Sequence, residues 1–230
     1  MDKEKIKRLS FIELREMFLN NEFVEDLEER HDAICSLHNK MEDVRDLIPL
    51  LLENDKNCQV VATFIATQEG DGAKPIFSPY IFDLLESPWE EVRDEVCDCF
   101  FNCDPNEEQI VSLIKHLKDP SERIRLRVIS VLCRLSTEKL LAIHKYIVGL
   151  SNYKDLAENM NLLVNSLNVQ CDFEYLKKQM RASNENVKVF SYVSTYKLYG
   201  NSEELSQIVN ISNSEDIRFH HEIYFSEDED

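Results

Sequence analysis

The chain has 230 residues, of which 43% are hydrophobic and only 4 are glycine, so it can bury a large core and contains little linker-like sequence. Its formal net charge of -18 argues against a general nucleic-acid-binding surface, because neutralising phosphates needs clustered lysine and arginine. There is no apolar run long enough for a membrane span or a signal peptide, and seven cysteines without paired spacing do not suggest a secreted disulfide framework, so we expect a cytoplasmic protein with reduced thiols.

The first 40 residues predict a pair of helices. Residues 3–20 place apolar side chains at helical spacing, and residues 22–40 continue that spacing less densely. Such irregularity is expected of a terminal unit that turns one face to water. We therefore predict a helical cap over residues 1–40.

A clearer alternation of helix and turn starts at Met41. It predicts two helix pairs separated by a glycine-containing loop that is the best candidate for a flexible connection. The segments are 42–53 with 56–68, the loop at 70–72, and 75–86 with 89–102.

The stretch 109–136 shows the helical pattern most clearly. Asp119-Pro120 interrupts an amphipathic pattern that resumes on the other side, which predicts two helices joined by a tight turn. Neither helix can bury its apolar stripe alone, so further pairs should stack alongside. The apolar positions are Ile110, Leu113, Ile114 and Leu117 before the turn, and Ile124, Val128, Val131, Leu132 and Leu135 after it.

Three more pairs complete the predicted helices. They cover residues 137–150 with 154–167, 172–182 with 185–198, and 203–209 with 216–225. The last five residues, 226–230, include four acidic side chains and are predicted to form a disordered tail.

The turns within these pairs recur at a nearly constant interval. Successive hinge residues are 33, 32, 34, 30 and 30 positions apart, which is typical of helical-repeat proteins. The hinge residues are Asp55, Pro88, Pro120, Lys154, Asn184 and Ser214.

The residues around the hinges resemble the HEAT-repeat family, in which an Asp in the turn lies five residues before a Val or Ile that is followed by Arg or Lys. Pro79 also falls where that family often has a proline that kinks the first helix of a repeat. The matching positions are Asp119, Ile124 and Arg125, and also Ser87, Val92 and Arg93 with Ser in place of Asp.

This resemblance covers residues 41–225 and concerns architecture. It implies a right-handed α-solenoid of about six to seven antiparallel helix pairs, in one continuous body with the cap. It also implies that the second helices line a concave face and that the Asp and Arg form a ladder between repeats. It does not imply any activity.

Charge is distributed unevenly along the chain. Residues 83–108 contain ten acidic residues and one basic residue, whereas residues 109–154 contain nine basic and three acidic ones. Neighbouring blocks therefore have opposite charge, and either could bind a partner.

The second helix of the 75–102 pair has a dense set of carboxylates. Pairs such as Glu90 with Asp94 and Asp94 with Asp98 are four residues apart and repel each other, so a basic partner would stabilise the helix. A solvated acidic face is the alternative explanation. The candidate partner-binding residues are Glu90, Glu91, Asp94, Glu95 and Asp98, and a second acidic surface comprises Glu22, Glu25, Asp26, Glu28, Glu29 and Asp32.

Four arginines, at positions 123, 125, 127 and 134, form the only basic cluster in the sequence. Arg123 and Arg127 share a helix face and are candidates for binding an acidic partner or a phosphate. The alternative is that Arg125 joins neighbouring repeats while the other arginines are solvated.

Two groups of residues have side chains that can bind a metal. Cys99 and Cys103 would share a helix face, but Cys97 would lie about 200° from Cys99, so the three thiols cannot converge on one ion and are expected in the core. His220 and His221 would point about 100° apart on a helix. We therefore expect neither a metal nor a cofactor.

No sequence motif indicates catalysis. The chain has no HExxH sequence, nucleophile elbow or glycine-rich phosphate loop. Some HEAT-like proteins of this length are DNA glycosylases for alkylated bases, but they have a basic groove lined with aromatic residues, whereas Trp89 is the only tryptophan here and lies in the acidic block. A bilin lyase, also built on HEAT-like repeats, has no positive support in the sequence. An enzyme is therefore the lower alternative.

The leading functional hypothesis is a non-catalytic protein-binding module. Its most specific form is an acidic immunity protein that neutralises a cognate basic toxin, such as a nuclease domain, because opposite charges favour fast association. A general scaffold or adaptor is the alternative. We expect a protein partner with a basic surface and no direct contact with nucleic acid, membrane or a small-molecule substrate.

Overall fold

The structure is a computed structural model that describes residues 3–23, 27–168 and 172–225. All regular elements in these ranges are helical, which confirms the all-α class. The α-helices are α1 (Lys3–Ile6), α2 (Phe11–Leu19), α3 (Leu27–Lys40), α4 (Ile48–Leu52), α5 (Lys56–Glu69), α6 (Lys74–Ile76), α7 (Glu90–Asn102), α8 (Glu107–Lys115), α9 (Glu122–Arg134), α10 (Thr137–Val148), α11 (Lys154–Asn168), α12 (Phe173–Gln179), α13 (Glu185–Tyr199), α14 (Glu203–Ile211) and α15 (Glu215–Phe225).

Short 3₁₀ and π segments extend several of these helices. None of the helices in the described ranges is both long and apolar enough to cross a membrane. The 3₁₀ segments are Val44–Leu47, Gly70–Ala73, Phe82–Glu86, His116–Lys118 and Ser151–Tyr153, and the π segment is Phe77–Ile81.

Capping residues explain why the first predicted helix is two helices. Ser10 accepts a hydrogen bond from the Glu13 backbone N–H, and the Glu13 carboxylate accepts one from the Ser10 backbone N–H, forming a capping box. This arrangement satisfies two amides that would otherwise lack partners at the start of α2. The chain therefore breaks between α1 and α2, where the apolar pattern alone predicts one helix over residues 3–20.

Pro79 distorts the helical segment that precedes α7. Because proline has no backbone N–H and its ring crowds the preceding turn, a regular α-helix cannot pass through this position. The chain forms a π turn over Phe77–Ile81 instead, closed by a hydrogen bond from the Phe82 N–H to the Phe77 carbonyl. The irregular geometry expected at Pro79 is present.

The chain forms two compact units, unit 1 (Met1–Pro105) and unit 2 (Asn106–Asp230). The predicted cap, residues 1–40, lies within unit 1, where α2 packs against α4 and α5, and α3 packs against α5. The predicted acidic tail, residues 226–230, lies outside the described residues.

Unit 1 is a stack of helix pairs in chain order. The first pair is α2 with α3, the second is α4 with α5, and the third is the segment 74–86 with α7. The first members of the pairs contact one another in sequence, as do α3, α5 and α7. The side chains between these layers, including Leu50, Ile65 and Val96, are fully buried.

Unit 2 has a different arrangement. Its pairs, α10 with α11, α12 with α13 and α14 with α15, follow α8 and α9 in sequence, but α9 packs against α13 and α15 rather than only against its neighbours along the chain. A linear solenoid brings together only adjacent repeats. The nearest-neighbour stack predicted from the sequence therefore does not describe unit 2.

Helix α13 lies at the centre of unit 2. It packs against α9, α11, α12 and α14, and its apolar residues are accompanied by buried hydroxyl groups. Ser191, Ser194 and Thr195 each donate a hydrogen bond to the backbone carbonyl four residues earlier, at 2.9, 2.6 and 2.9 Å. These local bonds allow polar side chains to be buried without other partners.

Candidate functional site

The carboxylates predicted as a docking surface on α7 do not form one open face. Glu90 and Glu91 are exposed, whereas Glu95 and Asp98 are half-buried. Asp94 is only 1% exposed, so it does not belong to a docking surface, and its inclusion in the predicted site is wrong.

Burial and pairing explain this difference. On a helical wheel Asp94 lies only about 40° from Glu90, so the pattern alone places it on the solvent side. Glu91, Asp94, Glu95 and Asp98 each already interact with another group of the protein. One of these interactions is the ion pair between Glu91 and Lys56, at 2.9 Å.

A different acidic surface is present at the connections within the helix pairs of unit 1. We call it the turn edge and define it as residues 20–22, 53–57 and 86–91. The connections are joined laterally, because Asn21 donates to Asp55 at 3.4 Å, Asn57 donates to Asn21 at 3.5 Å, and Lys56 binds Glu91. These bonds hold successive turns in a fixed register.

The backbone of Asn21 favours this arrangement. Its φ of 57° lies in the left-handed region, which asparagine adopts more readily than most residues. The turn between α2 and α3 thereby directs the Asn21 amide toward the neighbouring turn, where it meets Asp55 and Asn57.

The turn edge is strongly acidic. Lys56 is its basic residue and is already paired with Glu91. The exposed acidic side chains are Glu22, Glu53, Glu86, Glu90 and Glu91. Unit 1 as a whole contains 25 acidic and 11 basic residues, a net charge of -14.

The second predicted acidic surface is only partly described. Glu25 and Asp26 lie outside the described residues, Glu22 belongs to the turn edge, and Glu28 is exposed on α3. Of the remaining two, Glu29 is half-buried, and Asp32 accepts an ion pair from Lys3 at 2.7 Å.

The candidate arginines on α9 have distinct environments. Arg123 is exposed and Arg127 is half-buried, and both already interact with other groups of the protein. Arg125 binds both carboxylate oxygens of Asp216, with Nε–Oδ2 and Nη2–Oδ1 distances of 2.7 and 2.9 Å. This bidentate pair joins α9 to α15 and raises the pKa of Arg125.

The predicted ladder of Asp and Arg side chains between repeats stays a prediction, and the following contacts lie within the hinges. The Asp119 carboxylate accepts hydrogen bonds from the Ser121 N–H and from His116, and Arg125 donates to the Asp119 backbone carbonyl at 2.9 Å. Arg93 makes the equivalent bond to the Ser87 carbonyl, also at 2.9 Å. In both turns that match the family motif, the arginine donates a hydrogen bond to a backbone carbonyl of its own hinge.

The three clustered thiols lie in the core of unit 1. Cys97, Cys99 and Cys103 are all buried, as expected, and the Cys99 thiol lies 3.0 Å from the Thr67 hydroxyl. A hydrogen bond between Cys99 and Cys103 raises the pKa of Cys99 and lowers that of Cys103. No cluster of three metal-ligating side chains occurs among the residues that the structure describes.

His220 is at the centre of a buried polar cluster that joins three helices. Its Nε2 lies 3.0 Å from Ser130 Oγ on α9, and its Nδ1 lies 3.0 Å from Tyr192 Oη on α13. Ser130 donates its single hydroxyl proton to the Leu126 carbonyl, so its oxygen accepts from His220 Nε2–H. His220 Nδ1 must then accept from the Tyr192 hydroxyl.

This cluster has the residue types of a nucleophile and a base but not their arrangement. All three side chains are at least 96% buried, because Ser130, Tyr192 and His220 are 4%, 0% and 1% exposed. Burial is the main reason that the pKa of His220 falls to about 3, and burial also raises the pKa of Tyr192. Since the imidazole donates to the serine, it cannot take the hydroxyl proton as a general base does.

Two features of the site were not predicted from the sequence. The first is the row of glutamates on the turn edge. Glu53 and Glu86 are 33 residues apart, which is the repeat interval, so an alignment of the hinges could have predicted that they lie on neighbouring turns. The contacts of His220 have no comparable signal, because Ser130 and Tyr192 lie 90 and 28 residues away.

Comparisons with protein-family models, with curated proteins and with solved structures give no match for this chain.

Proposed function

We propose that this chain is a non-catalytic protein-binding module that recognises a basic protein surface through the turn edge of unit 1. The supporting observation is the row of exposed glutamates at positions 22, 53, 86, 90 and 91, held on connections that are hydrogen-bonded to one another. Since the row is preorganised, little conformational entropy is lost when a partner binds.

The spacing of the turns suits an extended basic partner. Packed helices lie about 8–10 Å apart, so successive turns present carboxylates at intervals that lysine and arginine side chains can span. The net charge of -14 in unit 1 would also attract such a partner over distance and raise the association rate.

The most specific form of this proposal is inhibition of a nuclease-type toxin domain. A nuclease needs a basic surface to hold the phosphates of its substrate, and an acidic protein that covers this surface competes with nucleic acid directly. In this role the chain is an immunity protein that remains bound to its toxin.

We propose that the helix pairs of unit 1 are HEAT-like repeats. These helix pairs contact their neighbours in chain order, and Arg93 of the hinge motif donates a hydrogen bond to the Ser87 carbonyl of its own turn. Stacked pairs give a stiff scaffold on which the acidic connections keep their register. Unit 2 contains the hinge match at Asp119, Ile124 and Arg125, but there α9 also contacts α15, so we propose the neighbour-to-neighbour stacking of pairs for unit 1.

The test compares two charge-reversed proteins as bait for partners from the native host. The edge variant carries Glu53→Lys and Glu90→Lys. The control carries Glu42→Lys and Asp71→Lys, two exposed residues in the connections between successive pairs, at the opposite ends of the helices. Each variant changes the net charge by the same amount.

We expect the wild-type protein and the control to retain the same basic partner, and the edge variant to lose it. The affinity of the wild-type complex should fall steeply as sodium chloride is added, mainly through a slower association rate. If the partner is a nuclease, adding the chain should stop its cleavage of nucleic acid. Retention of the partner by the edge variant, or capture of an acidic partner, would contradict the proposal.

A further inference from the structure

Unit 2 contains an open cleft of about 440 Å³ that the proposed function does not use. It lies where the 3₁₀ turn after α8, the 3₁₀ turn before α11 and the first turn of α13 meet. Its size falls in the range of small-molecule sites. Its lining includes Lys115, Lys118, Lys154, Asn152, Asn159 and Asn186.

Most carboxylates near this cleft are already paired with basic side chains of the protein. A neighbouring cavity of about 420 Å³ shares Lys118, Asn184 and Asn186 with the cleft and is also lined by three acidic residues. These three are paired within the protein: Asp119 with His116, Asp216 with Arg125, and Glu185 with Lys188. Asp155 is the acidic residue that lines the cleft itself.

The cations of the cleft are less constrained. Lys118 is exposed and has no hydrogen bond or ion pair to any residue in the described part of the chain. Lys115 lies over the Tyr153 ring at 5.0 Å, and Lys154 is 3.9 Å from Glu158, with both side chains largely exposed. Three lysines of the positive block at residues 109–154 are therefore presented to solvent at this cleft.

Amide side chains add directional hydrogen-bonding groups. Asn184 donates to Asn159 at 3.3 Å and accepts from the Asn186 backbone N–H at 3.0 Å, which fixes one wall of the cleft. The side-chain amides of Asn152 and Asn186 have no hydrogen-bonding partner among the described residues, so both can bind a ligand. Ile114 and Leu156 supply an apolar part of the lining.

We propose that this cleft binds a small organic phosphate, with Lys118 contacting the phosphate group. The lysines favour a dianionic group, the asparagines can bind hydroxyl or amide groups, and the volume and apolar residues accommodate an organic portion larger than phosphate itself. The positive ends of α11 and α13 reinforce the preference for an anion. This ligand was not expected from the sequence, and the site is independent of the turn edge.

Calorimetric titration of the 230-residue protein tests this assignment with three probes: adenosine 5′-monophosphate, glucose 6-phosphate and inorganic phosphate. Adenosine and glucose are the uncharged controls. We expect at least one organic phosphate to bind at least tenfold more tightly than its uncharged parent and than inorganic phosphate, because a hydrogen bond to a charged group contributes at least this factor.

Two variants locate the binding. Lys118→Gln removes the proposed phosphate contact and should weaken binding about tenfold or more. Lys145→Gln removes an exposed lysine of α10 that does not line the cleft, and should leave affinity unchanged. Circular dichroism checks that both variants remain folded. The assignment is wrong if neither organic phosphate binds, if the uncharged parent binds equally well, or if the two variants behave alike.

Discussion

At the scale of single residues, His220 links protonation to the stability of unit 2. Its imidazole is enclosed by α9 and α13 and hydrogen-bonded at both nitrogens, so a second ring proton would displace the Tyr192 donor and place a charge in an apolar environment. The nearby His221 and the cation of Arg134 oppose that charge further. The folded state therefore keeps His220 neutral.

This arrangement predicts a specific dependence of stability on pH. The pKa of His220 is about 3 in the folded protein, against 6.5 for an ordinary histidine. Between these values the unfolded chain binds one more proton than the folded chain, so the free energy of unfolding falls as the pH falls through this window. The contribution of His220 approaches about 1.4 kcal/mol per pH unit as the pH falls below 6.5, and it amounts to about 1.6 kcal/mol between pH 6.5 and pH 5.

Urea unfolding of His220→Gln measures this contribution. Glutamine can form hydrogen bonds at the same place but does not titrate. Between pH 6.5 and pH 5 the free energy of unfolding should therefore fall by about 1.6 kcal/mol less for the variant than for the wild-type protein. His144→Gln is the matched control, because His144 is half-exposed and bonded to Asn161 at 2.8 Å. Parallel pH profiles for the wild-type protein and His220→Gln would show that His220 is protonated in the folded state.

At the scale of elements, the pairing of α9 with α15 depends on one guanidinium group. Arg125 donates two hydrogen bonds to Asp216 on α15 and two more to the carbonyls of Asp119 and Pro120 at its own hinge. The planar guanidinium can serve both sets at once, which a lysine ammonium group cannot do.

Replacing this guanidinium should weaken the closure of unit 2. We expect Arg125→Lys to lower the free energy of unfolding by about 2 kcal/mol, because hydrogen bonds to charged groups are lost across a partly buried contact. Arg181→Lys, at an exposed position after α12, should change it by less than about 0.5 kcal/mol. Urea midpoints give both values, provided that the slope of the unfolding free energy against urea concentration is unchanged. Arg125→Lys should also make the amides of α15 exchange faster.

The ion pair between Arg125 and Asp216 shows what the sequence could and could not predict. Apolar periodicity and the hinge residues predict most of the helices, because both signals lie within about 15 residues of the structure they specify. The contact between Arg125 and Asp216 spans 91 residues. The resemblance to stacked repeats predicts that α9 packs against the neighbouring helix pairs. The apolar pattern around α9 does not indicate that α15 is its partner.

Burial limits the prediction of sites in a similar way. The helical wheel correctly places Glu90 and Glu91 at the surface, but it cannot show that surrounding groups cover Asp94 on the same side of α7. The lateral register of the turn edge depends on the side chain of Asn21 and on its left-handed backbone, which a charge pattern does not reveal.

At the scale of the whole molecule, the net charge is concentrated in unit 1. Unit 1 has a net charge of -14, whereas residues 106–225 contain 15 acidic and 15 basic residues and are neutral overall. The remaining four charges, all negative, are in the last five residues. Net repulsion therefore opposes folding in unit 1, whereas unit 2 has no comparable net charge over residues 106–225.

Salt should consequently affect the two units differently. Raising sodium chloride from about 0.01 M to about 0.1 M shortens the screening length from about 30 Å to about 10 Å, which weakens repulsion across unit 1. We expect amides in unit 1 to exchange more slowly at the higher salt concentration. Amides in unit 2 should be unchanged or slightly faster, because salt also screens attractive pairs.

Hydrogen exchange measured by mass spectrometry follows both units in one sample, so each serves as the control for the other. Replacing sodium chloride with an uncharged osmolyte separates charge screening from general solvent effects, since an osmolyte stabilises both units through exclusion from their surfaces. Equal protection of both units by sodium chloride would mean that the carboxylates of unit 1 are neutralised locally. In that case the turn edge would not attract a basic partner over distance.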